Sequence, residues 1–289
     1  MDILFLSLQA SLIYGLAGIS VRAAMTVSGG FDLVVAIAAL ASAEVIIAFA
    51  NALEVKTVLG YMGVISIGLV SAGLLGVFWS AKEKLFGLKK LSSLSVFIGS
   101  FGALIIAIGL VGILRGPGLK TIEGSIGQTW DVFGTGHYIG SGTFVGLVVG
   151  CIALLLSSVW LRSRRGYALR LYAMNPSFAQ EVGVDGSSVV KSGTIFACVC
   201  AGVAGSIVGI VGGSTPELGM TVFLYGVGAA LLFESKKMLF PLVAGLLFGI
   251  MQVGTQLILA PAWTQSLMFA LIVVILLFRG TSRELSDVR

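Results

Sequence analysis

The sequence is poor in the residues that a water-facing surface or a catalytic centre needs. Only 11% of its 289 residues are charged, less than half of the roughly 25% usual in soluble domains. Histidine occurs once, at His137, with no second histidine to share a metal or a proton. Cysteine occurs three times, at Cys151, Cys198 and Cys200, always inside an apolar run and without the spacing of a zinc site or a disulfide framework. All three read as small buried hydrophobes. No GxxxxGK(S/T) loop is present and no lysine follows a glycine, so the chain has no Walker-type cradle for nucleotide phosphates. GxSxG and HExxH are missing too. These absences leave no support for an enzyme, a catalytic residue, or a metal or cofactor held by this chain. Five prolines against forty glycines exclude collagen and proline-rich disorder. An acidic N-terminus without a basic n-region argues against a cleaved signal peptide.

What the chain has instead is apolar length. Hydrophobic residues make up 57% of it and the mean hydropathy is +1.06. A bilayer core of about 30 Å takes roughly 20 apolar residues per helix. On that ruler spans fall near 3–21, 31–50, 58–81, 91–114, 140–161, 192–212, 218–233, 238–259 and 264–278, the seventh and ninth being short. The expectation is an all-α polytopic membrane protein of about eight or nine transmembrane helices, forming a single transmembrane domain over 1–289. The net charge of +5 does not point to nucleic acid, because the cations sit in short clusters between apolar runs. Fifteen lie on one side of the alternation, from Arg22 through Arg162, Arg164, Arg165, Arg170 and Lys191 to Arg289. Only Lys56, Arg115 and Lys120 lie on the other. The positive-inside rule then places the N-terminus outside and the C-terminus in the cytoplasm.

Two loops are long enough to have a task. The outer one, about 115–139, is glycine-rich, and its Trp130 and Tyr138 suit an interface. The cytoplasmic one, about 162–191, is the only substantial hydrophilic stretch. Within it Asn175 can cap a short helix that Pro176 starts and Gly183 ends.

Ionisable groups inside spans are costly and usually functional. Glu44 is the deepest acid. It reads either as a helix–helix hydrogen-bonding group or as a proton-relay or substrate-facing carboxylate. Asp32 follows Ser28, Gly29 and Gly30 and opens a helix; Glu217 follows Thr215 and Pro216 and opens another, before Gly219. Each acid could simply complement a helix dipole. Residues 27–44 and 211–234 nonetheless share a layout of glycine-rich break, acid, apolar run and terminal glutamate, Glu44 and Glu234. Broken helices in corresponding halves mark substrate sites in transporters. The candidate substrate path is therefore Ser28, Gly29, Gly30, Asp32, Glu44, Thr215, Glu217 and Gly219. One conflict stands: simple topology puts the first opening at the cytoplasmic end and the second at the outer end, so either the first dips into the membrane as a broken helix or only one of them touches substrate. Glycines 202, 205 and 209 add a small-residue stripe of the kind that packs helix bundles.

Residues 166–209 resemble a pattern in bacterial ABC importer permeases of the branched-chain amino acid and simple-sugar type. Gly166, Leu169, Arg170, Asn175, Ala179, Gly183, Val184, Lys191, Ala201, Gly202, Ala204 and Gly205 match its order. The following 215–234 looks most like the tryptophan/tyrosine-type branch, with Gly219, Met220 and Glu234 in place and Phe233 where that branch has glycine. The resemblance is carried mainly by 160–235 and extends to 10–50. It implies a permease subunit in a bacterial cytoplasmic membrane, embedded in lipid, with no nucleic-acid partner. It would work with a second permease copy, a dimer of cytoplasmic ATPase subunits holding ATP and Mg, and an extracytoplasmic solute-binding protein. It also implies a coupling helix in the inner loop, with Arg170, Tyr172, Asn175, Phe178, Ala179 and Val182 as candidates. The expected cargo is a small polar solute such as an amino acid. A sugar or nucleoside on the same architecture, or an ion-coupled transporter using Glu44, are the alternatives.

Overall fold

The computed structural model describes residues 2–55, 57–81, 92–122, 129–131, 138–232 and 239–258, with short helical pieces between 263 and 274. His137, Glu234 and most of the expected span at 264–278 lie outside the described residues. The chain is an all-α membrane protein. Among the described residues its named helices are α1 (Asp2–Ser28), α2 (Val34–Ala52), α3 (Val58–Ser80), α4 (Ser93–Arg115), α5 (Ser141–Arg162), α6 (Arg164–Met174), α7 (Pro176–Glu181), α8 (Gly186–Gly212), α9 (Leu218–Leu232) and α10 (Pro241–Ile258). Seven of them are long and apolar enough to cross a membrane, while α9 has 15 residues and falls short. A two-stranded antiparallel ribbon, β1 (Thr129–Asp131) with β2 (Tyr138–Gly140), stands in the loop before α5.

Helix starts follow side-chain chemistry. Thr57, Ser92, Ser163, Asn175 and Asp185 each accept a hydrogen bond from a backbone N–H in the first turn of the helix they precede, which satisfies donors that the helix itself cannot. Asp185 accepts from the Ser187 and Ser188 amides at 3.0 and 3.2 Å. With the Ser187 hydroxyl, these bonds hold its carboxyl below the usual carboxylate range. This cap starts α8 six residues before the expected 192, a difference that hydropathy alone misses because Ser187, Ser188 and Lys191 are polar. For the same reason α1 continues past the expected 21 to Ser28, and Arg22 lies within a helix rather than in a loop. Cys198 and Cys200 are buried as expected, but Cys151 is exposed on an outward face of α5.

The core is organised around α8. Its apolar span is 72% buried, against 17% for α4, which lies at the periphery. α8 packs on α1, α2, α3 and α5. The approach to α2 is close enough that a Cβ on Gly205 would overlap the Ala39 carbonyl. Next to it the Ser42 and Ser206 hydroxyls meet at 2.8 Å, a buried polar clasp between the two helices. α1 is likewise pressed against α10, where Gly245 and Gly249 have no room for a Cβ beside Gly15 and Ser11. In a bilayer, where apolar surface is as well solvated by lipid as by protein, such backbone proximity is what holds helices together.

Gly205→Ala should therefore force α8 away from α2, costing about 1–3 kcal/mol of overpacking strain. It should lower the thermal unfolding midpoint of the detergent-solubilised protein. Gly102→Ala, on α4 with nothing within 4 Å of the added methyl, should leave it in place. Equal midpoints for the two variants would contradict the packing described.

Candidate functional site

One end of the bundle gathers the end of α1, the start of α2, α4 and α8, and the α6–α7 pair; it carries Arg162, Arg164, Arg165, Arg170 and Lys191. We call it the basic end. At the opposite end Lys120 and Ser214 exchange backbone hydrogen bonds of 2.9 and 2.8 Å, and Asn51 donates to the Thr121 carbonyl at 3.2 Å. The segment after α4 thus clamps the crossover between α8 and α9. Gly213 there has φ +80°, and a side chain on it would strike Lys120 and Thr121.

The geometry shows how the first opening is built. Gly193 of α8 faces Val27 of α1, whereas Gly205 faces Ala39 of α2. At 1.5 Å per residue along α8, the start of α2 lies roughly 10 Å deeper than the end of α1. Residues 29–33 therefore climb into the membrane as a helix break. Gly29 (φ +69°) makes the turn. Leu33 N–H donates to Ser100 Oγ at 3.0 Å, and Asp32 accepts from Trp79 Nε1 at 2.9 Å and from Val34 N–H at 3.1 Å. Gly219, at the start of α9, presses on Ala36 and Leu40 in the first turns of α2. The rings of Phe31 and Phe223 meet edge to face at 6.5 Å. The start of α9 thus meets the first turns of α2, while Phe31 of the first break meets a later turn of α9.

Their acids are not brought together. Asp32 is buried and fully engaged. Ser28, Gly29 and Gly30 face Ser93 at the start of α4, where Ser93 Oγ donates to the Ser28 carbonyl at 3.3 Å. Glu44 is buried in α2 and forms an ion pair with Arg115 at the end of α4; Arg115 also donates to the Glu44 carbonyl at 3.2 Å. Thr215 and Glu217, in contrast, line a cavity of about 580 Å³ between α1, α8, α9 and α10. The Glu217 side chain is exposed.

The cavity is furnished by residues that sequence reasoning passed over. Tyr14 and Tyr225 pack with ring centroids 4.6 Å apart, and the Tyr14 hydroxyl donates to Gln252 Oε1. Phe269 stacks on Tyr225 at 5.3 Å. Gln9 is 3% exposed and lines the cavity, and its amide nitrogen has no hydrogen-bond partner among the described residues, a state that costs free energy unless a ligand or water completes it. Gln252 and Gln256, four residues apart on α10, add further amides. The signal was available: Gln9 interrupts an apolar span, and Gln252 and Gln256 share one helical face. The arrangement offers one carboxylate, several neutral donors and acceptors, and an aromatic wall. Among the described residues no lysine or arginine lines it. Also among the described residues, no group of three His, Cys, Asp or Glu side chains is placed to hold a metal ion.

At the basic end, α7 is the six-residue helix Pro176–Glu181, with Asn175 Oδ1 accepting from Phe178 N–H at 3.1 Å and Gly183 (φ +84°) turning the chain afterwards. Phe178 and Val182 are about half exposed, at 49% and 54%. Asn175 is exposed and Tyr172 half-buried against Gly186. Ala179 is fully buried, and Arg170 turns inward to donate to the Leu161 carbonyl while lying over the Tyr167 ring. The six coupling candidates thus divide: Asn175, Phe178 and Val182 face outward, Tyr172 flanks them, and Ala179 and Arg170 fasten the helix to the bundle. The preceding α6 was not legible, since RRGYALRLYAM has no apolar stripe wide enough to declare a helix.

A family profile described as "Branched-chain amino acid transport system / permease component" matches residues 3–277. No curated protein matches the sequence. Among solved structures, PsaBC from Streptococcus pneumoniae in complex with Fab superposes with a TM-score of 0.54 at 16% identity, covering 95% of this chain and 91% of that one. At that identity the likeness concerns the fold.

Glu44→Gln should leave the Arg115 cation without its partner. Because Arg115 keeps about a quarter of its side-chain exposure (24%), the cost should be about 1–3 kcal/mol, read as a lower unfolding midpoint in detergent. An unchanged midpoint would show that the pair contributes nothing to the fold.

Proposed function

Since this chain belongs to the branched-chain amino acid transport permease family, we propose that it is the membrane-spanning subunit of an ATP-binding-cassette importer and forms the path of a small polar solute, an amino acid by preference. The observation that carries the reading is α7. It is a capped, six-residue helix at the basic end, rooted by Ala179 and Arg170 and presenting Phe178 and Val182 outward. Apolar side chains held outward on a short rigid element beyond the spans suit the groove of a soluble partner, and a cytoplasmic ATPase dimer holding ATP and Mg fits. Its closure would move α6–α7 as a unit. The start of α8, joined to α7 by only four residues, would follow, shifting a packed helix between two arrangements. This assigns the basic end to the cytoplasm of a bacterial inner membrane, the N-terminus to the outside, and a second permease copy and a solute-binding protein to the remaining positions of the importer.

The cavity then faces the side from which a binding protein delivers. Glu217 would receive the ammonium group of an amino acid. The N-terminus of α9 and the amide of Gln9 would supply hydrogen-bond donors for its carboxylate, and the tyrosine pair would contact the side chain. The ion-coupled alternative rests on Glu44 and would need that carboxylate free. Glu44 is committed to Arg115, which favours the ATP-driven reading.

Two variants test this in proteoliposomes carrying the complete importer. Glu217→Gln should lower solute uptake roughly tenfold or more, the worth of one charged hydrogen bond, with ATPase association intact. Phe178→Asp should abolish association and uptake together while the unfolding midpoint stays put. Undiminished uptake in both would overturn the proposal.

A further inference from the structure

We propose that the groove between α3, α5 and α8 is a binding site for an anionic diacyl phospholipid, its phosphate held at the basic end by Arg165 and Lys191. Two cavities meet here. One, of about 460 Å³, is lined by Arg165, Lys191, Ser188 and Ser192. The other, of about 640 Å³, is lined by apolar side chains including Ile65, Leu69, Ile152, Leu156 and Val203. Trp160, Phe196 and Val199 border both, so the polar cavity continues into the apolar one. The Trp160 and Phe196 rings are stacked 4.0 Å apart and 6° from parallel, forming a flat wall at the junction.

Three features select a lipid over other occupants. The polar cavity has two cations and two hydroxyls, and no described carboxylate lines it; neither cation is ion-paired among the described residues. Two uncompensated cations beside hydroxyl donors match a phosphate monoanion, and basic pockets between transmembrane helices recognise anionic headgroups in this way. The apolar slot runs along α5 from Val149 to Trp160, about 16 Å at 1.5 Å per residue, which is half of a roughly 30 Å hydrocarbon core. That is the depth of one leaflet. Finally, the charged and apolar parts follow one another along α8, from Ser188 and Lys191 to Phe196 and then Val203, in the order headgroup, interfacial aromatic and acyl chain.

A soluble anion would use only the upper cavity, and a helix from a second copy would use only the lower one. A diacyl lipid uses both. Bound there, it would wedge between α5 and α3 against the buried face of α8.

The experiment is native mass spectrometry of the full chain purified in detergent, titrated with dioleoyl-phosphatidylglycerol or dioleoyl-phosphatidylcholine. The wild type should retain the anionic lipid in preference to the zwitterionic one. The double variant Arg165→Gln/Lys191→Gln should weaken phosphatidylglycerol retention by roughly twenty-five-fold, about fivefold for each cation, and should weaken phosphatidylcholine, whose choline already compensates the phosphate, by less. Ala153→Phe, which fills the slot and leaves both cations, should weaken both lipids. Unfolding midpoints close to wild type would show that the variants are folded. Equal retention of the two lipids by wild type would overturn the proposal, as would unchanged retention in either variant or displacement of the lipid by millimolar inorganic phosphate.

Discussion

The approach of glycines on α8 and α9 to the backbone of α2 is the constraint from which the rest of the structure follows. Gly205 lies on the Ala39 carbonyl and Gly219 on the Ala36 carbonyl. Neither position has room for a methyl group, so α2 is gripped at one depth by two helices. That grip fixes where α2 begins, roughly 10 Å inside the end of α1, and so obliges residues 29–33 to leave helical geometry within the membrane. Unpaired backbone is tolerated at such depth only where protein satisfies it. The Ser100 hydroxyl and the Asp32 carboxylate meet this need, and the Trp79 indole donates to that carboxylate in turn. Asp32 is thus explained by the break it stabilises.

A second consequence is the separation of structural from solvent-facing polar groups. Glu44 and Arg115 neutralise one another where α2 and α4 meet, and α4 has few other attachments to the bundle. Glu217, one helix turn from the same α2 contact, is left free in a cavity with amides and a tyrosine pair. The difference lies in neighbours and not in depth along the sequence. An acid is available for a ligand when the adjoining helix brings no cation.

Much of this was legible in the sequence. Apolar length gave seven of the nine expected spans, the Asn175–Pro176–Gly183 signature gave α7 and its boundaries, and the breaks at Gly29–Gly30 and Gly213–Pro216 were visible as glycine and proline punctuation. The identity of the family was carried by residues 166–205, where local signals are densest. The depth of each break was hidden, because it depends on which glycine of α8 meets which residue of α2, a matter of tertiary register. The partner of Glu44 was hidden as well: Arg115 is 71 residues away in the chain and its pairing follows from the placement of α4. The amides lining the cavity were present as single glutamines in apolar spans, a pattern that shows its meaning only when α1 and α10 are placed side by side.

The central claim is that this chain moves solute under the drive of a separate ATPase. The direct measurement is affinity isolation of the chain from its native membrane in mild detergent, followed by mass spectrometry of what accompanies it. The account predicts a stoichiometric partner bearing a Walker nucleotide-binding loop. A chain that isolates alone and transports solute in proteoliposomes under an ion gradient would contradict it.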